Sequence, residues 1–331
     1  MWSLAFFLMA GLVAPEGRQP QVAASGNAVS VAYGRGNEVF VMNSEDGGKS
    51  WGSPVALPGH GVMSLGMRRG PRIVREGKVV LVSAIGGQKG RGADGDLWLW
   101  RSQDGGKTWS EGSKLNDVEG AAREGLHAMA GGGGRVYAAW LDLRSKGTKI
   151  VGTMSKDGGK TWSANRVIYE SPSGSVCECC HPSLAVSAKG EAWVMFRNSI
   201  NGRRDMYVQA WDGGEARKLG LGEWVLNACP MDGGMAVVDG ESGKIFSVWR
   251  REKKIFAAWD GAAEVELGEG KHPIAWQGRD KMQVLWMEGP GLRNKEGVVA
   301  NEGAFPAVAV MQSGKAVLAY ESAGKIQIEV K

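Results

Sequence analysis

Residues 102–109 read SQDGGKTW, and the chain contains two near copies of this octapeptide, SEDGGKSW at 44–51 and SKDGGKTW at 155–162. A shortened fourth copy, WDGG, occupies 211–214. The aspartates of successive copies are 58, 53 and 55 residues apart. A turn-like signal that recurs about every 50 residues is typical of the blades of a propeller or another radial array. The repeats therefore predict an all-β propeller.

Each copy has the composition of a tight hairpin turn. The aspartate can accept hydrogen bonds from turn amides, the glycine pair can adopt positive φ, and the tryptophan can pack between sheets. The copies do not have the alternating Asp or Asn ligands and the terminal glutamate of a calcium-binding loop. We therefore interpret them as structural turns.

Strand-like runs precede each turn, such as PRIVRE, KVVLVSAIG and DLWLWRS within 71–102. Apolar residues alternate with small or polar ones in these runs, and glycine-rich breaks separate them. Counting such groups along the chain predicts seven blades in a single domain that spans 15–331. The 52 glycines and 14 tryptophans among 331 residues also favour many short strands over long helices.

The first 14 residues differ from the rest of the chain. Residues 2–14, WSLAFFLMAGLVA, form a short uncharged apolar run that ends in small residues. This pattern resembles the hydrophobic region of a secretory signal. We expect residues 1–14 to be a signal segment and the protein to be exported, either to a periplasm or to the medium.

The net charge of +5 comes from scattered lysines and arginines, without a block of five or six like charges. This distribution argues against nucleic acid as a partner. No later run reaches the roughly 18 apolar residues of a membrane span. The oligomeric state has no signature in the sequence.

The motif S-x-D-G-G-x-[ST]-W at blade spacing is identified as the Asp-box, or BNR repeat, of the sialidase (neuraminidase) superfamily. The resemblance implies a sialidase-like β-propeller, for which six blades would be the usual number. It also implies a glycan-directed protein, and specifically a glycoside hydrolase of the exo-α-sialidase type that acts on acidic sugars. Such chemistry requires no cofactor. The family also contains other hydrolases, lyases and receptors, so the fold alone does not define the activity.

The resemblance also implies roles for individual residues. GPRIV places Arg72 at the position of an arginine that binds the substrate carboxylate, and MFRN places Arg197 at the position of a second one. VWRREKKI supplies a third as Arg250 or Arg251. In GRGADGDLWLW, Asp94 takes the position of the acid/base aspartate. These residues are our candidates for substrate binding and catalysis.

Two departures from the family pattern affect the chemistry. His181 occupies the position of the glutamate that activates the nucleophile, and His272 lies at or beside the position of the nucleophilic tyrosine. Without this Tyr/Glu pair, the usual covalent route is not available. Among the remaining tyrosines, Tyr320 is the nearest to a substitute.

Most histidines and cysteines fall near the predicted starts of innermost strands, which converge around a propeller axis. Three interpretations of these side chains remain open. They could be ligands for Zn, Cu or Fe. The cysteines could instead form two disulfides, one of them from Cys229 to the 177–180 loop, or the side chains could be buried and inert. The candidates are Cys177, Cys179, Cys180, Cys229, His127, His181 and His272. They support an alternative function: the protein would be a non-hydrolytic propeller with an axial His/Cys site that binds a metal or is cross-linked by disulfides.

Overall fold

The computed structural model describes residues 15–63, 65–89 and 92–331, and it consists of seven antiparallel sheets. Five sheets have four strands, the second has five and the last has three. Blades 1 and 2 contain β1 (Arg18–Ser25), β2 (Ala28–Arg35), β3 (Glu38–Ser44), β4 (Val55–Ala56), β5 (Val62–Met63), β6 (Arg72–Glu76), β7 (Val79–Gly87), β8 (Asp96–Ser102) and β9 (Ser113–Lys114). A 3-10 helix, Arg123–Gly125, precedes blade 3.

Blades 3 and 4 contain β10 (His127–Gly132), β11 (Arg135–Asp142), β12 (Lys149–Ser155), β13 (Arg166–Tyr169), β14 (Ser183–Val186), β15 (Ala192–Arg197), β16 (Met206–Ala210) and β17 (Arg217–Lys218). Blades 5 to 7 contain β18 (Gly234–Val238), β19 (Ile245–Arg251), β20 (Lys254–Trp259), β21 (Val265–Glu269), β22 (Lys271–Gln277), β23 (Met282–Glu288), β24 (Gly291–Asn294), β25 (Gly297–Ala300), β26 (Ala304–Val310), β27 (Ala316–Ser322) and β28 (Lys325–Val330).

The sheets form a closed ring. The innermost strands β1, β6, β10, β14, β18, β22 and β26 each contact the next, and β26 contacts β1. This arrangement is a seven-bladed propeller, so the predicted all-β, sialidase-like fold and the count of seven are confirmed and the alternative of six is not. No helix in the described ranges is long and apolar enough to span a membrane.

The N-terminal residues of the described chain close the ring. Ile326 donates its backbone N–H to the carbonyl of Pro15 at 2.9 Å, and Gly17 donates to Gly324 at 3.0 Å. This short segment therefore pairs with β28 at the outer edge of blade 7, and the chain then enters β1 of blade 1. The predicted signal segment, residues 1–14, lies outside the described residues.

The octapeptides form the turns that their composition predicts. In the second copy, Asp104 accepts hydrogen bonds from the hydroxyls of Ser102 and Thr108 and from the amides of Lys107 and Thr108, at 2.6–3.0 Å. These bonds, with those from Thr108 the strongest, hold the pKa of the carboxyl well below its usual range. Trp109 then packs against the core between blades 1 and 2. The three octapeptides are thus local turns whose tryptophans pack against the core between neighbouring blades.

Candidate functional site

The innermost strands of blades 1, 6 and 7 each begin with a β-bulge at a residue that has positive φ and precedes a proline. Gln19, His272 and Phe305 have φ of 55°, 52° and 49°, each precedes a proline, and the strand register shifts at each position. Positive φ is uncommon for residues other than glycine, and such strain clusters at functional sites. The bulges place the His272 and Phe305 rings 5.0 Å apart at the axis.

Asp232 is the centre of a buried polar group around the axis, which we call the axial cluster and which also contains Arg68, Arg72, His181 and His272. The Asp232 carboxylate is fully buried and accepts the backbone N–H of His272 at 2.8 Å. The other carboxylate oxygen lies 3.2 Å from His272 Nδ1. Burial alone would raise the pKa of Asp232, but His272 and its hydrogen bonds outweigh this effect and hold the pKa below its usual range.

The arginines of the axial cluster donate mainly to backbone carbonyls. Arg68 donates to His272 O at 2.8 Å and to Pro306 O at 3.3 Å. Arg72 donates to the carbonyls of Gly70, Pro71 and Arg68 at 2.6–3.2 Å. Burial lowers the pKa of Arg68 to about 10, and burial together with Arg68 lowers that of Arg72 to about 9. Both line a cavity of about 110 Å³ that His181 also borders.

His127 and His181 are buried as well. His127 Nε2 lies 3.0 Å from the Ser83 hydroxyl, and His181 Nδ1 accepts the backbone N–H of Gly233 at 3.2 Å. Burial, followed by the charge of Arg72 for His127 and of Arg68 for His181, holds both pKa values well below the usual value. Both imidazoles are therefore neutral at pH 7.

We expect His127→Gln to reduce the loss of stability in acid. A histidine whose folded pKa is depressed stabilises the fold fully above its unfolded pKa of about 6.5, and this contribution decreases as the pH falls below that value. Between pH 7.5 and 5.5 the wild type should lose about 1.4 kcal/mol more of its free energy of unfolding than the variant. Urea unfolding at the two pH values measures this difference, and equal losses would contradict the assignment of a neutral, buried His127.

The other two candidate arginines do not line the axial cavity, although both contact Asp232, and Arg250 Nη1 lies 3.9 Å from its carboxylate. Arg197 is 1% exposed and donates to the carbonyls of Asp232, Arg204 and Arg250 at 2.6–3.2 Å. Its guanidinium carbon is 5.1 Å from the centre of the Trp224 ring, over which Arg250 also lies at 5.6 Å. This geometry favours a structural role for Arg197, and binding of a substrate carboxylate by Arg72, Arg197 and Arg250 stays a prediction.

The cysteines and histidines do not form one site. Within the described ranges, the only group of three or more His, Cys, Asp or Glu donors close enough to share a metal ion is Cys177, Cys179 and Cys180, which we call the thiol cluster. Its three side chains are buried, and Arg204 Nη1 lies 3.2 Å from Cys177 Sγ. Cys229 is exposed, and all four cysteines are free. His127, His181 and His272 instead belong to the axis.

Asp94 lines a separate cavity of about 360 Å³, the blade-2 pocket. Its carboxylate accepts the backbone N–H groups of Gln88 and Lys89 at 3.1 and 3.0 Å. The wall of the pocket contains His60, whose ring stacks on Trp98 with centroids 3.7 Å apart and an angle of 7°. The pocket therefore combines a half-buried carboxylate with a stacked His60/Trp98 pair in its wall.

Glycines make the blade-2 pocket possible. A Cβ atom on Gly87 would lie 2.4 Å from Asp94 Oδ1 and 2.5 Å from the Asp94 carbonyl oxygen. A Cβ on Gly86 would lie 2.1 Å from the carbonyl oxygen of His60. The extra strand β5 pairs with this end of β7, which brings the His60 segment against the loop of Asp94.

Two further carboxylates line the pocket. Asp96 is held by Lys114 Nζ, Asn116 Nδ2 and the Gly120 amide, each at 2.7 Å. Although burial opposes the shift, these contacts lower the pKa of Asp96. Glu119 is largely exposed and lies 3.6 Å from the same lysine. The lining is thus acidic, because one lysine faces three carboxylates.

The blade-2 pocket and the axial cavity have no lining residue in common. Sequence reasoning selected Asp94 and Arg72 but not His60, Trp98 or Glu119. The sequence contains no signal for these three, because they meet Asp94 only through strand pairing within blade 2.

Tyr320 does not replace the missing nucleophile. It lies on β27, packs in the core of blades 6 and 7, and donates its hydroxyl to Glu329 at 2.6 Å. Burial and Glu329 raise its pKa, which is opposite to what a nucleophilic phenol needs. A larger cavity of about 390 Å³ between blades 5 and 6 is lined mainly by apolar side chains and contains no catalytic grouping.

The propeller is similar to several solved structures of carbohydrate-active proteins. An α-L-arabinanase of Penicillium chrysogenum in complex with arabinobiose has a TM-score of 0.57 and 14% identity, with 98% of this chain and 95% of that one covered. An α-L-arabinofuranosidase of Fusarium graminearum, also with arabinobiose, has a TM-score of 0.57 and 12% identity, with 96% of each chain covered.

A Hadza microbial sialidase has a TM-score of 0.55 and 15% identity, with 95% of this chain and 65% of that one covered. At these identities the likeness extends to the fold alone. No protein of curated function matches the sequence significantly. A family model described as BNR repeat-like domain matches residues 69–316, which is most of the chain, and the protein therefore belongs to the BNR repeat-like domain family.

Proposed function

We propose that the protein is a glycan-directed glycoside hydrolase that binds its sugar in the blade-2 pocket. The observation that carries this proposal is the half-buried Asp94 carboxylate beside the His60/Trp98 stack in a cavity of about 360 Å³. This volume is sufficient for a small saccharide. The solved structures similar to this fold include two arabinose-directed hydrolases and a sialidase, which agrees with a sugar ligand.

The charge of the pocket favours a neutral glycan rather than the acidic sugar implied by the sialidase resemblance. Asp94, Asp96 and Glu119 would repel a sugar carboxylate, and Lys114 is already paired with Asp96 at 2.7 Å. In the axial cluster, the Arg72 guanidinium donates three hydrogen bonds to backbone carbonyls. A neutral sugar can donate its hydroxyls to Asp94 without this electrostatic cost.

For hydrolysis, Asp94 would act as the acid/base and Glu119 would be the second carboxylate. Glycosidases generally use such a pair, one group protonating the leaving oxygen and the other activating water or attacking the sugar. Asp96 is unsuited to either role because Lys114, Asn116 and Gly120 already bind its oxygens. This route does not need the Tyr/Glu pair of the sialidase resemblance, in which His181 takes the glutamate position and His272 lies at or beside the tyrosine position.

Sugar binding can be tested by calorimetric titration with neutral arabinose-, galactose- and glucose-based oligosaccharides and with sialyllactose. We expect the neutral ligands to bind more tightly. Gly87→Ala should weaken binding about tenfold or more, because the new methyl group must displace the Asp94 carboxylate and so disturb a charged hydrogen bond.

Gly240→Ala is the matched control, since Gly240 lies outside the pocket and a Cβ there would contact nothing within 4 Å. It should bind as the wild type does. Equal affinities for Gly87→Ala and wild type, or binding of sialyllactose alone, would contradict a neutral-sugar site at Asp94.

A second candidate function is a non-hydrolytic glycan-binding propeller. It is favoured by the buried histidines His181 and His272, which lie at or beside the positions that the sialidase resemblance gives to the Tyr/Glu pair. Sugar binding that depends on Gly87, without turnover of any aryl glycoside, would select this function over hydrolysis.

We also propose that the protein acts after export. The apolar run at 2–14 is the observation that supports this location. Expression of the full chain in a secreting bacterial host, followed by N-terminal sequencing of the extracytoplasmic protein, tests it. A mature N-terminus near Pro15 is expected, and retention of the full chain in the cytoplasm would contradict export.

A further inference from the structure

The thiol cluster is independent of the sugar site and has the composition of a site for a soft metal ion. We propose that Cys177, Cys179 and Cys180 bind one Cu(I) ion as three thiolates. Cu(I) is a soft ion, and it prefers thiolate sulfur over harder oxygen ligands.

The three sulfur atoms are already close enough to share one ion. Cys177 Sγ lies 3.7 Å from Cys179 Sγ and 3.5 Å from Cys180 Sγ, and all three lie within 4.8 Å of one another. Ligand sulfurs about 2.3 Å from one metal ion are separated by distances of this order. Exposures of 1%, 9% and 1% also shield the sulfurs from water and oxidants.

Backbone contacts hold the loop in this shape. Cys177 donates its amide to the carbonyl of Arg197 at 3.0 Å, and Val176 donates to Thr148 O at 3.0 Å. The segment is thereby fixed between blades 3 and 4 before any ion binds. A preorganised loop lowers the entropy that metal binding would otherwise cost.

A nearby cation offsets part of the charge of such a centre. Three thiolates and one Cu(I) carry a net charge of −2. The Arg204 guanidinium lies 3.2 Å from Cys177 Sγ. Its positive charge reduces the cost of desolvating the buried complex.

The number of ligands favours Cu(I) over zinc. Structural zinc sites are almost always tetrahedral with four protein ligands. In the described parts of the chain, no fourth His, Cys, Asp or Glu donor joins the three sulfurs. Cys229, the remaining cysteine, is exposed and lies outside the group.

The test is anaerobic titration of the reduced, full-length protein with Cu(I) in competition with a chromogenic Cu(I) chelator. We expect one Cu(I) per chain and a new near-ultraviolet absorption from charge transfer between sulfur and copper. Cys180→Ser should weaken binding by at least about 100-fold, since even loss of an outer partner of a metal site costs 10–100-fold. Cys179→Ser, at a slightly more exposed position, is the second variant if Cys180→Ser does not fold.

Cys229→Ser is the matched control and should retain wild-type binding. Zinc titration and a thiol count in denaturant, with and without prior reduction, complete the experiment. Tighter binding of zinc than of copper would overturn the assignment. Two thiols recovered only after reduction, as for a Cys177–Cys180 disulfide, or unchanged copper affinity in both cluster variants would also overturn it.

Discussion

Asp94→Asn is expected to reduce kcat for hydrolysis of a neutral aryl glycoside by about 10²–10⁴-fold, with a much smaller change in KM. The asparagine has nearly the same shape, but its single amide oxygen can accept only one of the two backbone N–H groups, since Gln88 donates to Oδ2 at 3.1 Å and Lys89 to Oδ1 at 3.0 Å. It cannot transfer a proton to the leaving oxygen. Because the lost interaction belongs to the transition state, the effect should appear mainly in kcat.

Asp280→Asn is the control for the catalytic test, since Asp280 is an exposed turn residue of blade 6. It should have wild-type kinetics and the same thermal midpoint as the parent, and Asp94→Asn should remain folded at the assay temperature. If Asp94→Asn hydrolyses the substrate with the same kcat as the wild type, Asp94 is not the acid/base.

The second large effect concerns stability. Asp232→Ala is expected to lower the free energy of unfolding by about 3–5 kcal/mol, because it removes a buried charge from the centre of the axial cluster. The backbone N–H of His272, 2.8 Å from the carboxylate, would lose its acceptor. The buried Arg68, whose pKa the carboxylate helps to sustain, would lose its counter-charge.

Asp232→Asn should be less damaging, because its amide oxygen can still accept the His272 N–H. Denaturant unfolding at pH 7 measures both variants, with Asp280→Ala as a surface control within about 0.5 kcal/mol of the parent. A loss for Asp232→Ala no larger than that of the control would contradict the view that this carboxylate stabilises the axis.

The fold was largely predictable because its signals are local and repeated. Each octapeptide specifies its own turn, as the hydrogen bonds around Asp104 confirm. Seven strand groups then require a ring of seven blades. Ring closure by the Pro15–Gly17 segment on β28 was not predictable, since it depends on pairing between the two ends of the described chain.

The site was predictable only in part. Cys177, Cys179 and Cys180 cluster because they are neighbours in the sequence, and Asp94 was identified from a motif that spans a single hairpin. His60 reaches the blade-2 pocket through the pairing of β5 with the far end of β7, which no short motif reports. The histidines were grouped with the cysteines because both lie near strand starts. The structure separates them, since the bulge at His272 directs this residue to the axis whereas the cysteine loop lies between blades.

Sugar binding in the blade-2 pocket rather than at the axis can be observed in a crystal structure with the neutral oligosaccharide that binds most tightly in the titration. We predict a sugar ring against the His60/Trp98 stack, with a hydroxyl donating to the Asp94 carboxylate. A sugar bound instead at the axial cavity beside Arg72, with the blade-2 pocket empty, would show that the sugar site is at the axis.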